Sequence, residues 1–246
     1  MTDRPDTIHL FMPCLADFFY PAIGRATARV LKNAGFNVHI PDNQTCCGQW
    51  AVNIGRPETS IPLARHFLAV FGAAEAVVSP SASCVLTVRN YPELFDEPEL
   101  KRLAENVAAR TFELSEFLVR KIGITNLPAE YPALATVHDS CHPLRGLGLK
   151  DEPRRLLDMV KGIELVEMAN PEMCCGFGGA FMAKHPELST AMASEKVDEA
   201  LATNAQLLIM TEPGCLLNVD TVIRERGVNL KAVHLAQVLA GGEGIS

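Results

Sequence analysis

Two stretches of this 246-residue chain set a pair of cysteines side by side before glycine: "TCCGQW" (Thr45 to Trp50) and "MCCGFGGAF" (Met173 to Phe181). The eight cysteines are Cys14, Cys46, Cys47, Cys84, Cys141, Cys174, Cys175 and Cys215, with gaps of 32, 1 and 37 residues in the first four and 33, 1 and 40 in the second four. One four-thiol pattern therefore occurs twice, offset by roughly 130 residues, which is the mark of an internal duplication. Four thiolates match the ligand count of a tetrahedral zinc site and of a [4Fe–4S] cluster. The spacing is not that of a small zinc finger, whose ligands come in tight pairs such as C-x2-C. The adjacent pair favours a cluster, because neighbouring side chains can bind different irons of a broad cofactor, while zinc in one half stays open. Gly48 and Gly176 follow the doublets; without a Cβ they give clearance for a bulky cofactor or allow positive φ.

Ligands so far apart in sequence must be gathered by the fold. Ile8–Pro13, Phe36–Pro41 and Ala76–Pro80 are short apolar runs closed by turn signals and suit buried strands. Between the runs lie helical patterns, such as "YPAIGRATARVLKNAG" with Gly35 as a C-terminal cap, and "ELSTAMASEKVDEALATNA". The second half repeats the order: "IHLFMPC" matches "ATVHDSC", "AVVSPSASC" matches "LLIMTEPGC", and "FELSEFLV" matches "VHLAQVLA". The expected fold class is α/β, as two tandem βαβ-type halves with parallel sheets related by pseudo-twofold symmetry. The halves are expected at 1–125 and 133–246, joined by "GITNLPAEYPAL" (Gly123 to Leu134). In such sheets ligands collect at the carboxyl ends of the strands, where each cysteine or doublet falls. Helices starting there aim N–H groups at the sulfurs and favour the thiolate.

A net charge of −7 argues against nucleic-acid binding. No run approaches 18 uninterrupted apolar residues, so no membrane span is expected, and "MTDRPDTIHLFMP" shows no signal peptide. A cytoplasmic location follows as an expectation; in that compartment a regular cysteine pattern signals metal or redox chemistry rather than disulfides. No flavin, nicotinamide or phosphate-loop motif stands in the chain. His138 and His142 bracket Cys141, where they can hydrogen-bond cluster sulfur or supply a proton. Arg145, in the same loop, can pair with a carboxylate. His142 and Arg145 are the only catalytic candidates. Trp50, the single tryptophan, is read as core, and the methionines near the cysteine loops as packing.

On "HDSCHPLRGLG", "CCGFGGAFMAKHPELS", "PGCLLN" and the tandem doublets, the chain resembles the CCG cysteine-rich domain family. That family includes the B subunit of heterodisulfide reductase, the iron–sulfur subunit of glycolate oxidase and lactate utilisation protein A, and these motifs are most similar to the lactate branch. The resemblance implies an iron–sulfur electron-transfer subunit of a multi-protein system oxidising L-lactate, or a related 2-hydroxy acid, to pyruvate. It also implies a ferredoxin-like iron–sulfur subunit and a third small subunit as partners, so the chain would be one component of an oxidoreductase without its own flavin. The eight cysteines would carry one [4Fe–4S] cluster per half. One departure bears on the alternative of thiol/disulfide redox chemistry: heterodisulfide reductase B subunits end each motif with C-x-x-C, whereas here Thr87 and Asn218 stand in place of the fifth cysteine. The remaining alternative is a zinc-stabilised binding module with no redox role.

Overall fold

The computed structural model describes residues 4–245; the outermost residues of the two expected halves, 1–3 and 246, lie outside that range. The first half runs β1 (Thr7–Leu10), α1 (Cys14–Phe19), α2 (Pro21–Asn33), β2 (Asn37–His39), α3 (Gln49–Asn53), α4 (Ile61–Phe71), β3 (Ala76–Ser79), α5 (Ala82–Arg89), α6 (Pro98–Ala109), β4 (Thr111–Glu113) and α7 (Leu114–Glu116). The second runs β5 (Glu130–Val137), α8 (Asp151–Leu157), β6 (Lys161–Leu165), α9 (Ala180–Lys184), α10 (Pro186–Leu201), β7 (Leu207–Met210), α11 (Pro213–Arg226), β8 (Lys231–His234) and α12 (Leu235–Leu239). The strands form two four-stranded, wholly parallel sheets in the orders β2-β1-β3-β4 and β6-β5-β7-β8. This is the expected α/β class, with one topology written twice. The central strands β3 (AVVS) and β7 (LLIM) are buried at every residue, as parallel strands covered on both faces must be.

Local signals set the boundaries. Gly35 takes φ +89° just past α2, releasing the chain into β2. β4 and β8 each end on a capping box: Glu113 accepts from the backbone N–H groups of Ser115 and Glu116, and His234 accepts from that of Ala236. The expected linker is shorter than Gly123–Leu134. β5 begins at Glu130, inside it, pairing Glu130 with Lys161 across a register shift before Ala133 pairs with Ile163. The prolines suggested a loop, but this stretch is the start of β5, which pairs β6 alone before its pairing with β7 begins at Ala135.

The two sheets share one apolar core. It runs from Ile8, Val30, Phe36, Val78 and Phe117 to Val137, Leu156, Ile209, Val233 and Leu239, with α2 packed on α12. Two further clusters lie on the far faces. That of the first half gathers Phe11, Phe67, Phe71 and Tyr91 with Cys47 and Cys84; that of the second gathers Met168, Val197 and Met210 with Cys175 and Cys215. Each half thus buries two of its four cysteines in its own outer core. Among the described residues, no helix is long and apolar enough to cross a membrane.

Candidate metal centres

Each half assembles its four cysteines at the carboxyl ends of its strands. Cys14 starts α1 after β1, the Cys46–Cys47 pair follows β2, and Cys84 lies in the first turn of α5 after β3. Sγ of Cys14 and of Cys46 are 3.5 Å apart, as are those of Cys47 and Cys84. In the second half Cys141 stands before a π-helical turn (His142–Leu147), Cys174 and Cys175 lie in the loop after β6, and Cys215 is in the first turn of α11. Cys175 and Cys215 are 2.9 Å apart at Sγ. In both sets two thiols are buried, Cys47 with Cys84 and Cys175 with Cys215, while Cys14 and Cys174 are exposed and Cys46 and Cys141 half-buried. Each set therefore reaches from the surface into the core.

The doublet is held in the same way twice. Gly48 and Gly176 adopt φ +84° and +80°, and each donates its N–H back to Sγ of the first cysteine, Cys46 or Cys174, at 3.4 Å. A Cβ on Gly48 would lie 2.7 Å from Cβ of Ser60, and one on Gly176 would lie 2.6 Å from the Ser189 carbonyl oxygen. The clearance these glycines give is thus toward the protein's own following segment, in addition to the left-handed turn. The carbonyl of the second cysteine is tethered in each half by a different residue. The Tyr91 hydroxyl donates to Cys47 O at 2.8 Å, and the Asn218 amide donates to Cys175 O at 2.7 Å. Asn218, at the position expected of a fifth thiolate, is thus a clamp on the doublet. Thr87 bonds the Ser83 carbonyl of its own helix.

The sulfurs crowd one another beyond what free thiols favour. Cys46 is pulled down to about 3 by hydrogen bonds from Cys14 and Cys47. Cys14 is pushed up by its bond to Cys46 and by burial, and Cys47 by its bonds to Cys46 and Cys84. Neighbouring thiols thus oppose one another's ionisation, and a bound metal would relieve that opposition. In the second half Cys141 is raised by burial, then by Cys174 and the Glu212 carboxylate, and Cys174 by its hydrogen bond to Cys175 and by burial. Four convergent sulfur donors per half, two of them buried, fit a thiophilic metal or an iron–sulfur cluster.

The surroundings differ between halves. Around the first set the buried face of α4 offers Ala64, Phe67, Leu68 and Phe71. Around the second stand His138, Lys196, Ser189 and Asn218, all buried. His138 Nδ1 lies 3.1 Å from the Pro171 carbonyl oxygen, and Nε2, with no hydrogen-bond partner, belongs to a group with the Cys175 and Cys215 sulfurs whose ligand atoms all lie within 4.8 Å of one another. Burial, and then the nearby Lys196 ammonium, push His138 down to about 3, so its ring is neutral. Asp139 is gripped by both terminal nitrogens of Arg154, at 2.8 and 3.0 Å, which fixes the loop leading to Cys141.

The structure brings His142 to Cys141, with Nδ1 3.6 Å from Sγ, while Nε2 faces the Gln49 amide nitrogen of the other half at 3.2 Å. Because that amide donates, Nδ1 carries the proton and donates to sulfur. Arg145 is exposed and near enough to Cys174 for its charge to oppose, in small part, the rise that the Cys175 hydrogen bond and burial cause there, so it stands at the mouth of the second set. Trp50 is not core: it is 49% exposed on α3, because the five-residue helix lies outside the layers. Three site residues escaped the sequence reading. Tyr91 lies seven residues after Cys84, a spacing that returns to the same side of a helical path. Lys196 interrupts the apolar stripe Ala193, Val197, Ala200 of α10. Glu212 takes the place of Ser81 when the repeats are aligned. Its carboxylate crosses the seam to accept from Ser81 Oγ (2.8 Å), Ser83 Oγ (2.8 Å) and the Ser83 backbone N–H (2.9 Å), capping the helix that carries Cys84.

Comparison with known proteins agrees with this architecture. A family model described as CCG, cysteine-rich domain, matches residues 8–89 and 135–220. A protein named lactate utilization protein A from Shouchella clausii is 45% identical over 96% of this chain and 99% of its own length. One of the same name from an Exiguobacterium species is 42% identical over 96% and 97%. The crystal structure of a hypothetical protein from Helicobacter pylori superposes with a TM-score of 0.71 at 11% identity, which shows the fold; it covers 99% of this chain, which spans 50% of that one. All eight cysteines fall inside the two matched spans, and the chain belongs to the CCG cysteine-rich domain family.

Proposed function

We propose that the chain is an iron–sulfur electron-transfer subunit of a multi-protein, cytoplasmic system that oxidises L-lactate, or a related 2-hydroxy acid, to pyruvate. Its halves, 1–125 and 133–246, would each hold one [4Fe–4S] cluster, the first on Cys14, Cys46, Cys47 and Cys84, the second on Cys141, Cys174, Cys175 and Cys215. The observation that carries the reading is the four-sulfur set built twice on the same glycine turn, at the strand ends of each sheet. Near end-to-end likeness to proteins named for lactate utilization supplies the substrate class.

When bound, such clusters accept and release single electrons. The protein's own part is to hold and shield them. Cys47 and Cys84, and likewise Cys175 and Cys215, anchor the cofactor from the buried side, and Tyr91 and Asn218 fix the backbone of the doublets. His142 donates a hydrogen bond to the Cys141 sulfur. Arg145, exposed beside Cys174, is placed to pair with a carboxylate of substrate or partner. The partners would be a ferredoxin-like iron–sulfur subunit and a third small subunit.

One observation favours a second reading for one half: the buried set His138, Cys175 and Cys215 has the ligand types of a zinc site. Anaerobic purification with iron, sulfide and zinc analysis separates the two. Clusters give a broad band near ~400 nm that bleaches on reduction, and Cys175→Ser lowers iron per chain by about half. Colourless protein carrying stoichiometric zinc in both halves would overturn the cluster reading.

A further inference from the structure

The repeat places Phe11 and His138 at one position, three residues before the first cysteine of each set. Phe11 follows β1 and His138 follows β5 directly, and they are anchored alike, Phe11 N–H donating to Val78 O and His138 N–H to Ile209 O, each at 2.9 Å. Phe11 is fully buried against Phe67 and Phe71. His138 is equally enclosed, at 2% exposure, yet carries two nitrogens into that space. Nδ1 faces the Pro171 carbonyl oxygen at 3.1 Å, and a carbonyl only accepts, so Nδ1 holds the proton. That leaves Nε2 with a lone pair, buried and without a hydrogen-bond partner, beside the Cys175 and Cys215 sulfurs. A backbone carbonyl on the far nitrogen is the arrangement that orients an imidazole toward a metal. A buried nitrogen lone pair with no donor is costly, and a cation held between Nε2 and the two sulfurs would satisfy it.

We propose that His138 Nε2 is a metal ligand of the second centre, which is therefore a mixed nitrogen–sulfur site, whereas the first is all sulfur. The proposal rests on the metal-binding reading given above and adds a donor to it. The second half then offers five donors and the first four. A [4Fe–4S] cluster has one terminal site on each of its four irons, so His138 would take one and three cysteines the rest; a single tetrahedral zinc ion takes His138, Cys175, Cys215 and one more cysteine; either way the exposed Cys174 is the thiol left free. In both cases the shared chemistry is imidazole ligation of a thiophilic metal. Metal entry expels protons from the thiols and none from His138.

The test uses the full chain, purified anaerobically and reconstituted with ferrous iron and sulfide, with a parallel sample given zinc alone. X-ray absorption at the iron and zinc edges identifies the bound metal and whether imidazole is in its first shell. Pulsed electron paramagnetic resonance of the reduced iron sample, with and without 15N-histidine, reads a directly bound nitrogen. The expected result is one imidazole nitrogen in wild type. His138→Phe, which installs the residue of the first half, should remove that nitrogen and lower metal per chain by about half. His138→Cys should restore the metal without the nitrogen. A metal-loaded wild type with no histidine nitrogen, or a His138→Phe variant with unchanged metal content and spectra, overturns the proposal and leaves the metal-binding reading standing. Absence of metal from every sample overturns both. Should the variants fail to fold, the wild-type spectra decide alone.

Discussion

Glu212 is the residue through which the halves hold one another most directly. Its carboxylate, 6% exposed, accepts from two serine hydroxyls and from the Ser83 backbone N–H at the start of α5. Hydrogen bonds to a charged acceptor are worth about 1.5–3 kcal/mol each. In Glu212→Ala the serine hydroxyls, whose oxygens are 3.1 Å apart, can bond each other, but the Ser83 N–H is left buried without an acceptor, at about 1–3 kcal/mol. Freedom from burying the carboxylate offsets part of the total. The net loss is about 2–4 kcal/mol, and for a chain of this size Tm falls by about 2–4 °C per kcal/mol. Thermal unfolding of reduced, metal-free protein followed by circular dichroism should therefore show a drop of about 4–16 °C. Glu212→Gln, which keeps one acceptor oxygen, should lose less. An alanine variant melting within about 2 °C of wild type refutes the assignment of Glu212 as the cap across the seam.

Gly48→Ala and Gly176→Ala meet both a positive φ and a close contact, and each should lower stability by about 2–4 kcal/mol in urea titrations at constant m. Gly55→Ala, at φ +75° with open space around it, is the control and should cost only about 1–2 kcal/mol. Tyr91→Phe frees the Cys47 carbonyl and Asn218→Ala the Cys175 carbonyl; each should cost about 1–2 kcal/mol and weaken metal retention in its own half alone, read by metal analysis after limited chelation. Glu113 is fully buried, and burial raises its carboxyl to about 7 against the hydrogen bonds from Ser115 and Glu116. A carboxyl raised on folding binds protons more tightly in the folded state, so its contribution is complete below the unfolded pKa and is lost as pH climbs through about 7. Stability should decline by about 3 kcal/mol between those limits in wild type, and Glu113→Gln should flatten that slope in pH-dependent denaturation; an unchanged slope contradicts the assignment.

Much of the fold was legible because its signals are local. Apolar runs ending in turn residues placed β1, β2, β3 and β7 to within a few residues, and the repeated spacing gave the duplication without any packing information. The misreadings concern residues whose state is decided by distant neighbours. Pro128 and Pro132 pointed to a loop, yet the register shift between Glu130 and Ala133, where β5 pairs β6 alone, accommodates Pro132. Trp50 was read as core, but its short helix leaves the side chain half in water. The glycines after the doublets take the positive φ expected of them, but the neighbours that need their missing Cβ are Ser60 and Ser189, fixed by tertiary packing. Tyr91, Lys196 and Glu212 were invisible because each acts on an atom far away in the chain: the Cys47 carbonyl, the Asn170 and Pro171 carbonyls, and the first turn of α5.

The duplication accounts for geometry and leaves the environment of each centre free to differ. Backbone order, capping boxes, glycine turns and sulfur pairs recur in both halves, since all of them follow from the path of the chain. The side chains around the sulfurs do not recur. The first set faces aromatic rings and the Tyr91 hydroxyl, a largely apolar surround. The second faces His138, the Asn218 amide and the fully buried Lys196, whose ammonium bonds the Asn170 and Pro171 carbonyls at 2.7 and 3.3 Å. A buried cation beside a cofactor stabilises its more negative, reduced state, and a neutral imidazole in place of a thiolate acts in the same direction. Under the proposed cluster reading, two centres built on one backbone plan would therefore differ in potential, with the second the easier to reduce.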